Sequence, residues 1–292
     1  MPELPEVETV VRDLLRSGVV KRTVRSAHVL WHRTVSGMSP DEFGRQITGR
    51  RILAVERRAK YVVMRLSEGL TLLIHLRMSG RLGMAHGDAP DDPHVRVWLR
   101  LDGGSVLVFS DTRKFGRWVL TNRPERILDR IGPEPLSPDF TRERFARALE
   151  GSRRMLKPLL LDQTFLAGLG NIYVDEALWH ARLHPCRSAD SLRPDEARGL
   201  HQAIRSVLRQ AIRLRGTSLG EGRANFRGGD GRHGENQERL QVFHRAGLPC
   251  PRCGTPISRC VVGQRGTHLC AACQRPRGGT RFRHGAPPRP TL

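Results

Sequence analysis

Met1-Pro2-Glu3-Leu4-Pro5-Glu6-Val7-Glu8-Thr9-Val10 opens the chain and sets how everything after it is read. Removal of Met1 leaves proline at the terminus, a secondary amine. An α-amino group has an ordinary pKa of about 7.7–8.0, well below that of lysine, so more of it is free base at neutral pH. A secondary amine that condenses at a sugar C1′ gives an iminium with no N–H proton to lose. It is an electron sink of the kind a Schiff-base lysine provides. Glu3 adds a carboxyl able to shuttle protons beside that nitrogen. The same residues also make an ordinary capped helix start, with Pro5 in the first turn and acids at the positive end of the dipole. Val7, Val10, Val11, Leu14 and Leu15 follow at helical spacing until Ser17-Gly18. That pattern predicts an amphipathic helix over 5–16 whose start lies beside Pro2.

At 292 residues the chain is long enough for two modest domains, each with a core. Hydrophobic residues at 38% and charged residues at 27% describe a globular protein. A net charge of +21 makes a polyanion the natural partner, nucleic acid first, although ribosome association or a membrane surface suits the same total. No run of roughly 18 apolar residues occurs, and acids stand where a signal peptide has basic residues. The sequence therefore predicts a cytoplasmic protein without a membrane span. Only four of the 50 basic residues are lysines: Lys21, Lys60, Lys114 and Lys157. Unless composition alone sets the pattern, a lysine that persists against so much arginine marks ammonium chemistry a guanidinium cannot supply.

Between residues 22 and 120, Val and Leu alternate in short runs broken by Glu68-Gly69 and Asp102-Gly103-Gly104. Strands are predicted over 23–30, 51–56, 61–66, 71–76, 95–101 and 105–109, forming an antiparallel sandwich with helix 5–16 packed on it. Residues 122–139 contain four prolines and one glycine and read as a linker. Helical periodicity then runs from 141 to 215. In its middle, Gly168 and Gly170 allow a tight turn and Asn171 is placed to cap a helix over 172–182. Open N–H groups at such a start bind phosphate. Residues 216–240 are rich in glycine and polar side chains, a composition expected of a functional lid or a disordered loop.

Cys250-x2-Cys253 and Cys270-x2-Cys273 stand sixteen residues apart, which is zinc-site spacing. Four cysteines leave no open coordination position, so the metal expected is one structural Zn2+. Cys260 and Cys186 are expected to be packed thiols. The tail over 275–292 is rich in Arg, Gly and Pro and expected to be disordered.

The opening stretch resembles the N-terminal signature of the formamidopyrimidine-DNA glycosylases, bacterial enzymes that excise oxidised purines. The resemblance runs in order from Pro2 to Cys273. It implies an α+β fold: an N-terminal β-sandwich flanked by helices (2–121), the linker 122–139, a helix-two-turn-helix domain (140–240) whose lid is 216–240, and a zinc-finger hairpin (241–274). It implies Pro2 as nucleophile, Glu3 as proton shuttle and Lys60 as proton donor in strand cleavage. Arg265, at the hairpin tip, matches the family arginine that grips phosphate beside the lesion. His75-Leu76-Arg77-Met78-Ser79-Gly80 and Asp111-Thr112-Arg113-Lys114-Phe115-Gly116 resemble the two segments that fill the gap left by a flipped nucleotide. Here the wedge is Met78, Arg113 and Phe115. Extruding a base costs a few kcal/mol, which an apolar plug and a facing arginine offset. His94, Lys114, Arg153, Lys157 and Asn171 match DNA-backbone contacts.

The reading that follows is a bifunctional glycosylase and apurinic/apyrimidinic lyase acting as a monomer on double-stranded DNA with a damaged base. Its substrates are formamidopyrimidines and 8-oxoguanine, its setting the bacterial nucleoid. Over 230–236 the lid departs from the commonest family pattern, in which an aromatic follows the second glycine, and this bears on lesion preference. An endonuclease VIII-like enzyme for oxidised pyrimidines is one alternative, opposed by Leu4 and by the Met78, Arg113 and Phe115 set. A catalytically silent zinc-finger DNA-binding protein is the other, opposed by intact Pro2, Glu3 and Lys60.

Overall fold

A computed structural model describes residues 1–87, 91–219 and 226–276. The chain divides into two compact units, residues 1–134 with 208–239 and residues 135–207 with 240–292. Segment 208–239 thus groups with the sandwich and not with the helices that precede it in sequence.

In the first unit, α1 (Leu4–Arg16) starts at a capping box. The Glu3 carboxylate accepts the Glu6 backbone N–H, and Glu6 accepts that of Glu3. Leu4, Val7, Val10 and Leu14 are fully buried along one face, as the 3.6-residue period requires. Gly18, at φ +72°, ends the helix. Eight strands follow: β1 (Val24–Val29), β2 (Ile52–Arg58), β3 (Tyr61–Leu66), β4 (Thr71–His75), β5 (Gly80–His86), β6 (Val95–Leu101), β7 (Ser105–Asp111) and β8 (Arg117–Thr121). They pair antiparallel in two four-stranded sheets, ordered β1-β6-β7-β5 and β2-β3-β4-β8. Inward residues of both sheets, the apolar face of α1, and Phe43 and Ile47 of α2 (Pro40–Ile47) form one core. A short helix, α3 (Glu125–Leu128), lies within the predicted linker.

Three elements here escape the sequence pattern. Strand β5 carries Gly80 and Gly83, and glycine is depleted in strands. Both are needed for close approach: a Cβ at Gly83 would run into the Gly229 carbonyl, and one at Gly80 into the Leu76 carbonyl and the Phe109 ring. Strand β8 is only five residues long. Helix α2 does have a readable start, Ser39 accepting the Glu42 N–H at 3.2 Å with Pro40 in its first turn.

The second unit is helical: α4 (Arg142–Glu150), α5 (Leu156–Leu161), α6 (Asn171–His180) and α7 (Pro194–Arg213), the last six residues of which belong to the first unit. Gln163 stitches the turn between α5 and α6. Its amide donates to the Leu161 and Leu169 carbonyls, and its oxygen accepts the Gly168 N–H at 2.9 Å. The N-cap of α6 is Gly170, not Asn171, which is already the first helical residue. Hairpin β9 (Ser258–Val262) and β10 (Arg265–Leu269) turns through Gly263 and Gln264, both at positive φ as a tight two-residue hairpin turn demands. No helix among the described residues is long and apolar enough to cross a membrane. Of the segments read as lid and tail, 220–225 and 277–292 lie outside the described residues.

Phe109 is fully buried, its ring tilted against Trp118 at 5.7 Å between ring centroids, and it lies directly under Gly80 and Gly116. Phe109→Ala is expected to cost about 3–5 kcal/mol of unfolding free energy, measurable by urea denaturation.

Candidate functional site

Pro2 is buried and Glu3 only 2% exposed, so the chain end is drawn into the protein at the head of α1. Both oxygens of Glu6, itself 1% exposed, are engaged: Oε2 accepts the Glu3 N–H and Oε1 the Thr217 N–H, each at 2.8 Å. Lys60 occupies the tight turn between β2 and β3 and is 6% exposed. Its predecessor Ala59 has φ +52°, and the turn is gripped by Glu134, which accepts the Ala59 N–H and pairs with Arg57 and Arg58.

Opposite Tyr61 on the neighbouring strand is His75, its ring edge-on to the tyrosine at 4.8 Å. His75 Nδ1 accepts the Arg77 backbone N–H at 3.0 Å, which leaves the ring proton on Nε2. Burial first, then the Arg77 and Lys60 charges, push its pKa down to about 3. A neutral imidazole therefore stands beside the buried lysine.

Two turns project from this sheet end. Met78 is 41% exposed on one and Phe115 45% exposed on the other, with Arg113 5.0 Å above the Phe115 ring. Asp111, fully buried, ties both turns together: it accepts the Ser79 hydroxyl, the Arg113 N–H at 3.1 Å and the Gly116 N–H at 2.7 Å. Its own N–H donates to the His94 carbonyl at 2.8 Å. Lys114 carries its ammonium 4.2 Å from the Trp31 ring.

In the lid, both ends of the loop are joined by polar bonds. Asn236 donates through Nδ2 to Thr217 Oγ1 at 2.9 Å, Gly234 N–H to Ser218 Oγ at 2.8 Å, and Ser218 N–H to Gln237 at 3.1 Å. Asn236 is 3% exposed and is held at the base of the loop by its bond to Thr217. Gly234 is required because a Cβ there would strike the Gly216 carbonyl.

The second unit builds its own cluster on consecutive carboxylates of α6. Asp175 Oδ1 accepts from Lys157 Nζ at 2.6 Å and Oδ2 from the His268 N–H at 2.9 Å. Glu176 accepts three successive backbone N–H groups, of Gln241, Val242 and Phe243, each at 2.9 Å, while burial raises its pKa. The Gly266 carbonyl takes Lys157 Nζ at 3.0 Å and Asn171 Nδ2 at 2.8 Å. Arg265, the residue before it, is exposed, as is Arg153, whose side chain is 97% open.

Below the hairpin, the Sγ atoms of Cys250, Cys253, Cys270 and Cys273 all lie within 4.8 Å of one another. The Cys253 sulfur is 3.4 Å from that of Cys270 and 3.5 Å from that of Cys273, and the Cys250–Cys273 separation is 4.0 Å. Tetrahedral zinc with bonds of about 2.3 Å sets its sulfurs about 3.8 Å apart, so the set fits one structural Zn2+. Bound there, the ion clamps the two ends of the hairpin together. Cys250 and Cys270 also pack with Trp179, Val242 and Ile257 in a small core of the finger.

Three family models match the chain in order: the formamidopyrimidine-DNA glycosylase N-terminal domain over 1–118, the formamidopyrimidine-DNA glycosylase H2TH domain over 131–221, and the zinc finger found in FPG and IleRS over 247–276. The chain belongs to the formamidopyrimidine-DNA glycosylase family. The formamidopyrimidine-DNA glycosylase of Herpetosiphon aurantiacus is 48% identical, and that of Protochlamydia amoebophila 44%, each over 94% of this chain and all of the relative. A Lactococcus lactis Fpg variant bound to Fapy-dG-containing DNA superposes with a TM-score of 0.86 at 37% identity, covering 94% of this chain and all of that one. The Thermus thermophilus MutM (Fpg) protein gives 0.83 at 44% identity, covering 94% and 98%.

Two of the residues that match family phosphate contacts are engaged inside the protein. Lys157 has no exposed surface; its ammonium donates to Asp175 and to the Gly266 carbonyl, which ties it to the finger hairpin. Asn171 does not cap its helix but donates to the same Gly266 carbonyl. Glu6 and Asp111 stand inside segments the sequence picks out, but their remote partners Thr217 and Ser79 cannot be read from those segments, and Asp175 and Glu176 have no local signature. His75 stands inside a recognised segment, yet only its pairing with Tyr61 brings it to Lys60.

Lys157→Ala leaves the buried Asp175 carboxylate without its ammonium partner, and is expected to cost about 3–5 kcal/mol of stability. A direct phosphate contact would instead lower the logarithmic salt slope of DNA binding by about 0.9 with stability kept. Denaturation and salt titration together decide.

For His75, a folded-state pKa below the unfolded 6.5 means that the unfolded chain takes up the proton first. Its contribution is full above pH 6.5 and lost as pH falls towards 3. His75→Asn is expected to show a shallower loss of stability than wild type across that window, read by denaturation at stepped pH.

Proposed function

We propose that Pro2 is the nucleophile of this chain, attacking C1′ of a nucleotide that carries an oxidised purine, formamidopyrimidine or 8-oxoguanine opposite cytosine. Family membership makes the protein a base-excision-repair DNA glycosylase with apurinic/apyrimidinic lyase activity, and double-stranded DNA with a damaged base its partner. The observation that carries the residue assignment is the chain end itself: Pro2 and Glu3 are buried at a capped helix start instead of trailing into solvent.

In this reading the Pro2 nitrogen forms its bond to C1′ as the glycosidic bond breaks, and the departing base takes up a proton. Glu3, whose carboxylate already accepts the Glu6 N–H, manages protons at the sugar. The resulting iminium acidifies the sugar, and successive β- and δ-eliminations release the phosphates on either side. Lys60 supplies a proton during cleavage.

Met78 and Phe115, both apolar and exposed, enter the space of the extruded nucleotide, and Arg113 faces the orphaned base. Their exposure in free protein is what a plug requires. Arg265, Arg153, His94 and Lys114 grip the phosphate backbone, while Lys157 and Asn171 act on it through the Gly266 carbonyl beside Arg265. The divisions that go with these roles are the catalytic sandwich over 2–121, linker 122–139, helical domain 140–240 with lid 216–240, finger 241–274 and tail 275–292. The protein works as a monomer on DNA of the bacterial nucleoid, in the cytoplasm.

Borohydride trapping on a duplex with one 8-oxoguanine opposite cytosine tests this. Wild type freed of Met1 is expected to form a covalent adduct that Pro2→Gly loses or strongly weakens. Glu3→Gln is expected to slow base release by roughly 10²–10⁴-fold. No adduct on this duplex or on an abasic one would remove the amine mechanism, and an adduct on abasic DNA alone would move the lesion class elsewhere.

A further inference from the structure

Glu6 joins two parts of the first unit that have different tasks. Through Oε2 it accepts the N–H of Glu3, the amide bonded directly to the Pro2 carbonyl carbon. Through Oε1 it accepts the N–H of Thr217, where the lid segment leaves α7. Both bonds are 2.8 Å and buried. An ordinary capping-box glutamate needs only the first bond; the second is additional.

The sequence around Thr217 is shaped to permit this. Gly216 has φ +82°, a conformation that strains any side chain, and a Cβ there would meet Glu6 Oε1 at 2.8 Å and Cγ at 3.0 Å. Glycine is thus required twice over, for its backbone angle and for the approach of the carboxylate. Beyond it, Thr217 and Ser218 are bonded to Asn236, Gly234 and Gln237 on the returning arm of the loop. The base of the lid is therefore one hydrogen-bonded body, and Glu6 is its bond to the peptide that carries the nucleophile.

We propose that Glu6 is a positioning residue for the reaction, fixing the Pro2–Glu3 peptide according to the placement of the lid base at Thr217. Pro2 has no residue before it to hold it once Met1 is gone, so the Glu3 amide is the nearest backbone handle on its nitrogen. A lid base out of register draws on the same carboxylate and turns that peptide. The arrangement makes attack at C1′ depend on the lid even where no base remains to be recognised. This rests on Pro2 being the nucleophile.

The test is single-turnover borohydride trapping on saturating abasic duplex, which bypasses base recognition. Glu6→Gln keeps the size of the side chain but turns an NH2 group toward one of the two donors. Thr217→Pro removes the lid-side N–H, together with the hydroxyl that takes Asn236 Nδ2, and leaves Glu6 with Glu3. Adduct formation is expected to slow roughly tenfold or more in each, as misplacement of a reacting group does. The double variant is expected to be no slower than Glu6→Gln alone. Affinity for a duplex carrying a tetrahydrofuran site, which the amine cannot attack, stays at the wild-type value. Trapping by Thr217→Pro at the wild-type rate would overturn the inference. So would variants whose adduct yield falls while the rate is kept, since that is a loss of folded protein. Should wild type itself trap nothing, Pro2 is not the nucleophile and the assignment falls with it.

Discussion

A carboxylate buried among backbone N–H groups is the joint on which this molecule is built. Glu6, Asp111, Asp175 and Glu176 are each at most 3% exposed, and each accepts main-chain N–H groups and also holds a partner remote in sequence, which for Asp111 is the Ser79 hydroxyl. The device suits a chain of net charge +21, in which side-chain cations are plentiful and anions scarce. A buried acid is costly unless its lone pairs are filled, and once filled it holds its donors in fixed directions. Loops that lack regular pairing gain from it what strands gain from a ladder.

The four acids divide the labour. Glu6 serves the chain end, and Asp111 serves the two turns that bear Met78 and Phe115. The latter arrangement solves a packing problem, since side chains meant to stand in solvent cannot be held by a core beneath them. Their backbones are fixed instead, through Ser79, Arg113 and Gly116, above a floor made by Phe109. In the second unit, Asp175 and Glu176 turn α6 into a socket for the finger, the first receiving β10 and the second the segment entering it. The Lys157–Asp175 pair is fully desolvated, a condition in which an ion pair contributes little net stability against apolar residues of like size. Its value lies in direction: it places the Gly266 carbonyl, and with it Arg265.

How much of this is legible in the sequence depends on the range over which each feature is encoded. Helix α1, six of the strands and the cysteine quartet are local patterns of period and spacing, and they read directly. Strand β5 does not, because Gly80 and Gly83 obey packing against Phe109 and Gly229 and not strand propensity. Asn171 illustrates a subtler failure: a capping residue in a capping context, diverted by a carbonyl ninety-five positions away. Lys157 stands out among arginines in the sequence, but its buried pairing with Asp175 does not, because that carboxylate lies eighteen residues on. Asp111 opens a segment the sequence picks out, yet its tie to Ser79 exists only once β5, β7 and the Phe115 loop have come together.

The sparse lysines have one more consequence. Lys60 is 6% exposed and Lys157 not at all, which leaves Lys21 and Lys114 as the lysine amines that open to solvent. Every other fixed positive side chain outside the histidines is a guanidinium, which stays charged and is no acyl acceptor at neutral pH. Acetylation, the usual way a cell dials down a basic surface, finds almost nothing here to neutralise. The attraction of this chain for a polyanion is set at synthesis and stays beyond the reach of acyl-transfer control.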